Sequence, residues 1–237
     1  VGMAAVPFLP LPYVESWPYI FASVLLHLGY QLFLVKAYVY GDLGQVYPIA
    51  RGISPLLLGF ITVFWIGEEL TLQMMSAIGL ISLGIFSLMF PGKMSIKYRF
   101  RPIIYALATG SFIAAYTLAD GVGVRASGNA ASYVLWLMAL ECLPLLGITL
   151  ILRKRTVFSS IHKNWKYAVP GGFLSLSAYW IVIWAMQHAP IALVSAIRES
   201  SVVIVALMSI WVLKEETTVK HLLSAVMVAV GVILTQL

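Results

Sequence analysis

Charge is what this sequence has least of. Lysine, arginine, aspartate and glutamate supply 10% of 237 residues, hydrophobic residues supply 61%, and the mean hydropathy is +0.96. Soluble domains carry roughly 25% charged residues. Too little polar surface is present to cover a water-facing shell, which excludes an ordinary soluble fold. Cysteine is nearly absent as well. Cys142 stands alone in an apolar stretch, so no disulfide framework exists and the residue reads as a small packing group. The chain also lacks a P-loop, a nucleotide-binding glycine pattern, a Cys/His zinc spacing and any evident Ser/His/Asp set. These absences leave no enzyme chemistry, cofactor or metal to expect, and no domain that could supply ATP-driven work. No signal-peptide pattern opens the sequence. It begins at Val1 inside an apolar run and reads as a fragment.

What is present is a series of long apolar stretches. A bilayer core requires about 20 apolar residues per helix. Eight stretches meet this, at about 17–40, 44–66, 71–90, 102–122, 131–152, 167–187, 190–213 and 217–237, and residues 1–12 read as the tail of another. The expected class is therefore an all-α integral membrane protein. The formal charge of +6 is not a nucleic-acid footprint, because the basic residues sit in the connections. Loops 41–43, 91–101, 153–166 and 214–220 hold eleven Lys and Arg, whereas 11–16, 67–70, 123–130 and 188–189 hold only Arg125. The excess of cations marks the cytoplasmic side. It places 91–101 and 153–166 in the cytoplasm of a multi-pass inner-membrane protein, with Leu237 outside. Trp17, Tyr19, Tyr38, Tyr40, Trp165 and Tyr167 near span ends suit interfacial anchoring.

An internal repeat follows from sliding the chain by 147 residues. Positions 37–90 then fall on 184–237 without a gap, and Arg51, Ser54, Glu68, Glu69, Thr71 and Gly84 meet Arg198, Ser201, Glu215, Glu216, Thr218 and Gly231. Three of the four charged residues of the first copy recur where charges are rare. The equivalent loops 67–70 and 214–220 lie on opposite sides by the charge count, so the two copies are expected to be inverted. The division is 1–90 for a truncated first repeat, 91–101 for a basic linker and 102–237 for the second. Two repeats of about five helices each would then begin roughly 45 residues ahead of Val1. Inverted repeats are a plan of secondary transporters, with a substrate site near the midplane.

The segment GDLGQVYPIARGISPL at 41–56, followed by Glu68 and Glu69, resembles EamA-type members of the drug/metabolite transporter superfamily. So does APIALVSAIRESS at 189–201, followed by Glu215 and Glu216. The resemblance covers essentially the whole chain. It implies a ten-helix, two-repeat transporter of small molecules, often coupled to protons, without specifying which solute. The chain departs from the pattern in lacking the first helix and part of the second. Its charge pattern puts the C-terminus outside, where many members keep both ends in the cytoplasm.

Within this plan the intramembrane polar residues are the candidates for function. Arg51 and Arg198 each lie about 10–12 Å inside their spans. A charge at that depth must face protein or water. Each planar guanidinium can clamp a carboxylate or phosphate. The bland reading is an ion pair with an acid such as Glu199, although adjacent helical residues do not normally face each other. Tyr47 sits one turn before Arg51. His27 and Gln31 share a face of 17–40, while Tyr179 and Trp180 occupy the corresponding span of the second copy, and these could shape a substrate pocket. Asp120, Glu141 and Glu199 are the candidate proton carriers, with Asp120 read as near the outer, solvated end of its span. Pro48 and Pro55 bracket Arg51 and free backbone carbonyls. Glu68-Glu69 and Glu215-Glu216 read as structural, favouring the helix starts that Thr71 and Thr218 cap. Gly59, Gly79, Gly84 and Gly231 read as close-packing positions. The expected function is alternating-access transport of an amino acid, organic acid or other anionic solute. A passive channel and a non-transporting scaffold are the alternatives.

Overall fold

A computed structural model of the chain describes residues 10–41, 43–87, 100–153, 156–201 and 219–235. Within these residues the secondary structure is helical, with no strand. We label the helices α1 (Trp17–Tyr40), α2 (Leu43–Ile61), α3 (Leu72–Ser87), α4 (Phe100–Ala126), α5 (Ala130–Arg153), α6 (Thr156–Met186), α7 (Ile191–Glu199) and α8 (Val219–Leu234). Out of water, backbone groups must bond within their own segment, and a helix does this completely. Five stretches are long and apolar enough to cross a membrane: Val14–Tyr40, Val46–Ile66, Phe100–Ala126, Ala130–Ile151 and Trp165–Met186. The helices α3 and α8 are apolar but shorter.

Five of the eight expected spans are met by membrane-length helices, with differences at their ends, while the span expected at 190–213 is described only as far as residue 201. A π-helical turn, Thr62–Ile66, closes α2. Gly67 follows at φ 74°, and Glu68 N–H reaches back to Thr62 O at 3.0 Å. That left-handed stop is a position suited to glycine. α4 runs on to Ala126, so Arg125 belongs to a helical last turn rather than a loop, and its Nε donates to Met186 O at 2.9 Å. The stretch 153–166, expected as a loop, is helical from Thr156 onward. It contains no proline or glycine to stop a helix, so α6 extends past the apolar stretch that begins at Trp165. The linker segment 91–99, residues 1–9, the second half of 190–213 and Glu215-Glu216 lie outside the described residues.

Burial is inverted relative to a soluble protein. On α1, Phe21, Leu25, Leu32 and Val35 are exposed while Ser23 and His27 are buried. Asp120 and Glu199 are fully buried. Apolar side chains turned outward and polar ones turned inward suit a lipid solvent.

The chain packs as two compact units, Val1–Leu28 with Ala119–His188, and Gly29–Leu118 with Ala189–Leu237. In the first, α5 packs against α6, Trp17 meets Trp136 edge-on at 5.3 Å, and Gly123 gives room to Tyr133. In the second, α3 packs against α2, α7 and α8. There Gly84 lies against Ser224 and Val228 of α8, while Gly231 lies against Ala77 and Ile81 of α3. Ser224 Oγ donates to Gly84 O at 2.6 Å. Gly79, by contrast, meets nothing within 4 Å, and Gly59 makes only ordinary contacts. Gly110 of α4 sits on Ile53 and the Ala50 carbonyl, which brings α4 close to α2 beside Arg51.

Candidate functional site

Among the described residues, each unit holds a cluster of buried polar groups around a carboxylate. In the second unit Arg51 and Arg198 meet at one carboxylate. Arg51 Nη1 donates to both oxygens of Glu199, at 3.1 and 3.0 Å. Arg198 donates to Glu199 Oε1 through Nε at 3.1 Å and Nη2 at 2.8 Å. The side chains of Arg51 and Arg198 are 24% and 15% exposed, and that of Glu199 is 0%. The carboxylate is therefore buried, and the two arginine side chains keep a small part of their surface exposed.

Local structure explains the convergence. α2 stays helical through Pro48 and Pro55 and carries Tyr47 one turn before Arg51, whose Cζ lies 5.4 Å from the Tyr47 ring centre. At the end of α7 the chain tightens, with Ser200 N bonded to Ile197 O at 3.1 Å. There the long Arg198 side chain folds back onto its sequence neighbour, against the expectation that adjacent residues do not face each other. Thr117 Oγ1 of α4 accepts a long contact of 3.4 Å from Arg198 Nη2. Tyr30 and Tyr116 pack edge-on at 5.7 Å and stand with Tyr47 around the guanidinium groups. The start of α7 is held from elsewhere: both Glu68 oxygens accept from Ile191 N–H at 3.1 Å. Glu68 thus caps α7 and not the helix that follows it, while Thr71 caps α3 through Met74 N–H at 3.2 Å. An apolar cavity of about 320 Å3 lies farther along α2, lined by Leu56, Phe60, Val63, Phe64, Met75 and Ile78. Nothing in it would hold a charged solute.

The first unit gathers a different set around Asp120. Tyr133 Oη donates to Asp120 Oδ1 at 3.1 Å, and Tyr179 Oη donates to Oδ2. Ser23 and His27 stand beside the carboxylate. His27 Nδ1 lies 3.0 Å from Ser23 O and 3.1 Å from Ser23 Oγ, and its ring meets Tyr179 edge-on at 6.2 Å. Glu141 is within electrostatic reach of His27 and Asp120. The reading of Asp120 as solvated is corrected. α4 continues beyond it, and Tyr133 and Tyr179 cover it, so it is 0% exposed.

The sequence candidates therefore sort by unit. Arg51, Arg198, Glu199 and Tyr47 come together in one, and Asp120, His27 and Tyr179 in the other. Gln31 is half-buried one turn along α1 from His27. Trp180 is 48% exposed. Sequence reading passed over Tyr116, Thr117, Ser23 and Tyr133 as partners. The usable signal was spacing: Ser23 and His27 are four apart, as are Tyr116 and Asp120, on otherwise apolar helices.

Among the described residues no group of three or more His, Cys, Asp and Glu could hold a metal ion. No curated protein matches the chain. A solved crystal structure shares the fold, with a TM-score of 0.73 at 17% identity, covering 100% of this chain and 83% of that one. The profile of the EamA-like transporter family matches residues 100–237. That match takes in more than half of the sequence, including α4 to α8 and the Arg198-Glu199 pair. The chain is an integral, multi-pass membrane protein and belongs to the EamA-like transporter family.

Proposed function

We propose that this protein is a secondary active transporter of a small solute bearing an anionic group, such as an amino acid or organic acid, working by alternating access. The observation that carries the reading is the convergence of Arg51 and Arg198 on Glu199. Two guanidiniums share one buried carboxylate, with Tyr30, Tyr47 and Tyr116 standing beside them. A planar cationic fork beside aromatic hydroxyls is suited to a carboxylate. The reading includes two inverted repeats, 1–90 and 102–237 joined by 91–101. The reciprocal seating of Gly84 and Gly231 supports this, since equivalent residues make equivalent contacts on each other's helix. It also includes residence in the inner membrane with 91–101 and 153–166 facing the cytoplasm. Transport rather than catalysis accords with the family.

Proton coupling is part of the proposal, and Asp120 is its best-supported carrier. Glu199 has both oxygens taken by guanidinium donors. Asp120 is buried among neutral hydroxyls with His27 beside it, an arrangement through which a proton can be exchanged. Glu141 remains the second candidate.

The test is the thermal stability of the protein against a panel of metabolites, for wild type, Arg51→Gln and Arg198→Gln. A ligand that prefers the folded state raises the melting temperature. Stabilisation of wild type alone by anionic or zwitterionic solutes is the expected result. Equal stabilisation of all three proteins by cations or apolar drugs would remove the arginines from the site. Saturable uptake driven by an ion gradient in vesicles separates a transporter from a passive channel.

A further inference from the structure

Away from the buried arginines, the adjoining ends of α1 and α4 carry two exposed cations beside stacked aromatic rings. We propose that Arg101 and Lys36, with the Tyr40–Tyr105 stack, bind the phosphate of an anionic phospholipid headgroup.

The apolar span of α1 ends at Tyr40 and that of α4 begins at Phe100. Tyr40 and Arg101 therefore lie where hydrocarbon gives way to headgroups. The two helices are close here: Gly41 gives room to Pro102, and farther along Gly29 gives room to Phe112. Between these points the rings form a column. Phe112 stacks on Phe33 at 5.2 Å, Phe33 meets Tyr105 at 6.2 Å, and Tyr105 lies on Tyr40 at 5.5 Å with the planes 9° apart. Arg101 Cζ stands 5.9 Å from the Tyr40 ring centre. Tyr105 packs against the buried cluster of Ala37, Val46, Ile49 and Ala106, so the platform is fixed to the core.

Arg101 and Lys36 are both exposed. Lys36 is one turn before Tyr40, and its apolar stem can carry the ammonium toward the headgroups. Neither makes an ion pair with a described residue, and the contact of Arg101 is with the Tyr40 ring. Their acidic neighbour in sequence, Asp42, lies outside the described residues. Arg51 and Arg198, deeper in the chain, have Glu199. Arg101 is left at the level where lipid phosphates are the abundant anions. A guanidinium fork holds a phosphate in two places, and the exposed Tyr40 phenol offers a further donor. Choline or ethanolamine would bring a third cation beside two, whereas a glycerol headgroup keeps the full attraction. The source is lipid rather than free phosphate because apolar surface adjoins the cations. Leu32, Val35 and Val39 of α1 and Ile104 and Leu107 of α4 are exposed, which gives acyl chains a surface to lie on.

The test is a stability titration of the purified full chain in detergent with three probes: dihexanoylphosphatidylglycerol, dihexanoylphosphatidylcholine and inorganic phosphate. The phosphatidylglycerol should raise the melting temperature at concentrations where the other two do not. Arg101→Gln and Lys36→Gln should each weaken its apparent affinity about fivefold, and the double variant about 30-fold. Lys166→Gln removes an exposed cation near the end of the α6 membrane segment and should leave that affinity unchanged. The proposal is overturned if Arg101→Gln keeps the wild-type affinity, or if Lys166→Gln loses as much, which would mark a diffuse attraction of anions to any surface cation. Equal stabilisation by phosphatidylcholine would remove the headgroup charge from the account, and equal stabilisation by inorganic phosphate would replace the lipid with a soluble anion. Should Arg101→Gln fail to fold, Lys36→Gln decides by the same comparison with Lys166→Gln.

Discussion

At the level of single residues, the most informative are charges inside an apolar chain. Arg51 and Arg198 share Glu199, so removing one arginine still leaves the carboxylate with a partner. Arg51→Gln should therefore cost little stability, under about 1 kcal/mol by thermal unfolding, while abolishing the response to an anionic solute. Glu199→Leu should cost more, about 3–5 kcal/mol, because it removes the buried carboxylate that both guanidiniums share. Tyr179 and Tyr133 hold Asp120 in the same dependent way. Tyr179→Phe leaves the carboxylate with one fewer donor and should lower stability by about 1–3 kcal/mol. Asp120→Asn should remove the pH dependence of uptake while leaving solute-induced stabilisation in place. Retained pH dependence would move the proton to Glu141. The residue types and depths of these groups were readable from the sequence. Their partners were not, since Arg51 and Glu199 are 148 positions apart and Asp120 and Tyr179 are 59 apart.

Among the helices, closeness is set by small residues, because lipid gives no hydrophobic force between helices. Gly110 rests on the Ala50 carbonyl, a backbone atom that cannot step aside. Gly110→Val should overpack the α2–α4 crossing by about 1–3 kcal/mol and shift Thr117 away from Arg198. The crossing of α3 and α8 is reciprocal. Gly84→Val and Gly231→Val should each destabilise by about 1–3 kcal/mol, and the double variant should cost less than their sum, because one separation of the helices relieves both clashes. Strict additivity in a double-mutant cycle would show that the two contacts are independent. Repetition in the sequence pointed to both glycines. It also drew attention to Glu68, yet misplaced its action, since the acid caps a helix 123 positions on rather than the one beside it. A dipole argument from neighbours in sequence cannot see a helix end supplied by another part of the chain.

The whole molecule raises the matter of orientation. Lys166 and His188 are exposed near the two ends of the α6 membrane segment, about 33 Å apart along a helix of that length. In a Cys142→Ser background, Lys166→Cys should react with a membrane-impermeant thiol reagent only in inside-out vesicles, and His188→Cys only in right-side-out ones. The opposite pattern would invert the topology read from the charged loops. The all-helical membrane class is a property that the sequence determines by itself. It depends on composition and on the length of apolar stretches, which the bilayer reads one segment at a time. Family membership was legible for a related reason, since GDLGQVYPIARGISPL and APIALVSAIRESS are contiguous stretches. Which acid neutralises which base, and that Asp120 is covered while Glu199 is shared, only the tertiary structure decided. Those facts belong to pairs of helices, and a buried charge can be satisfied by any partner the packing brings within about 3 Å.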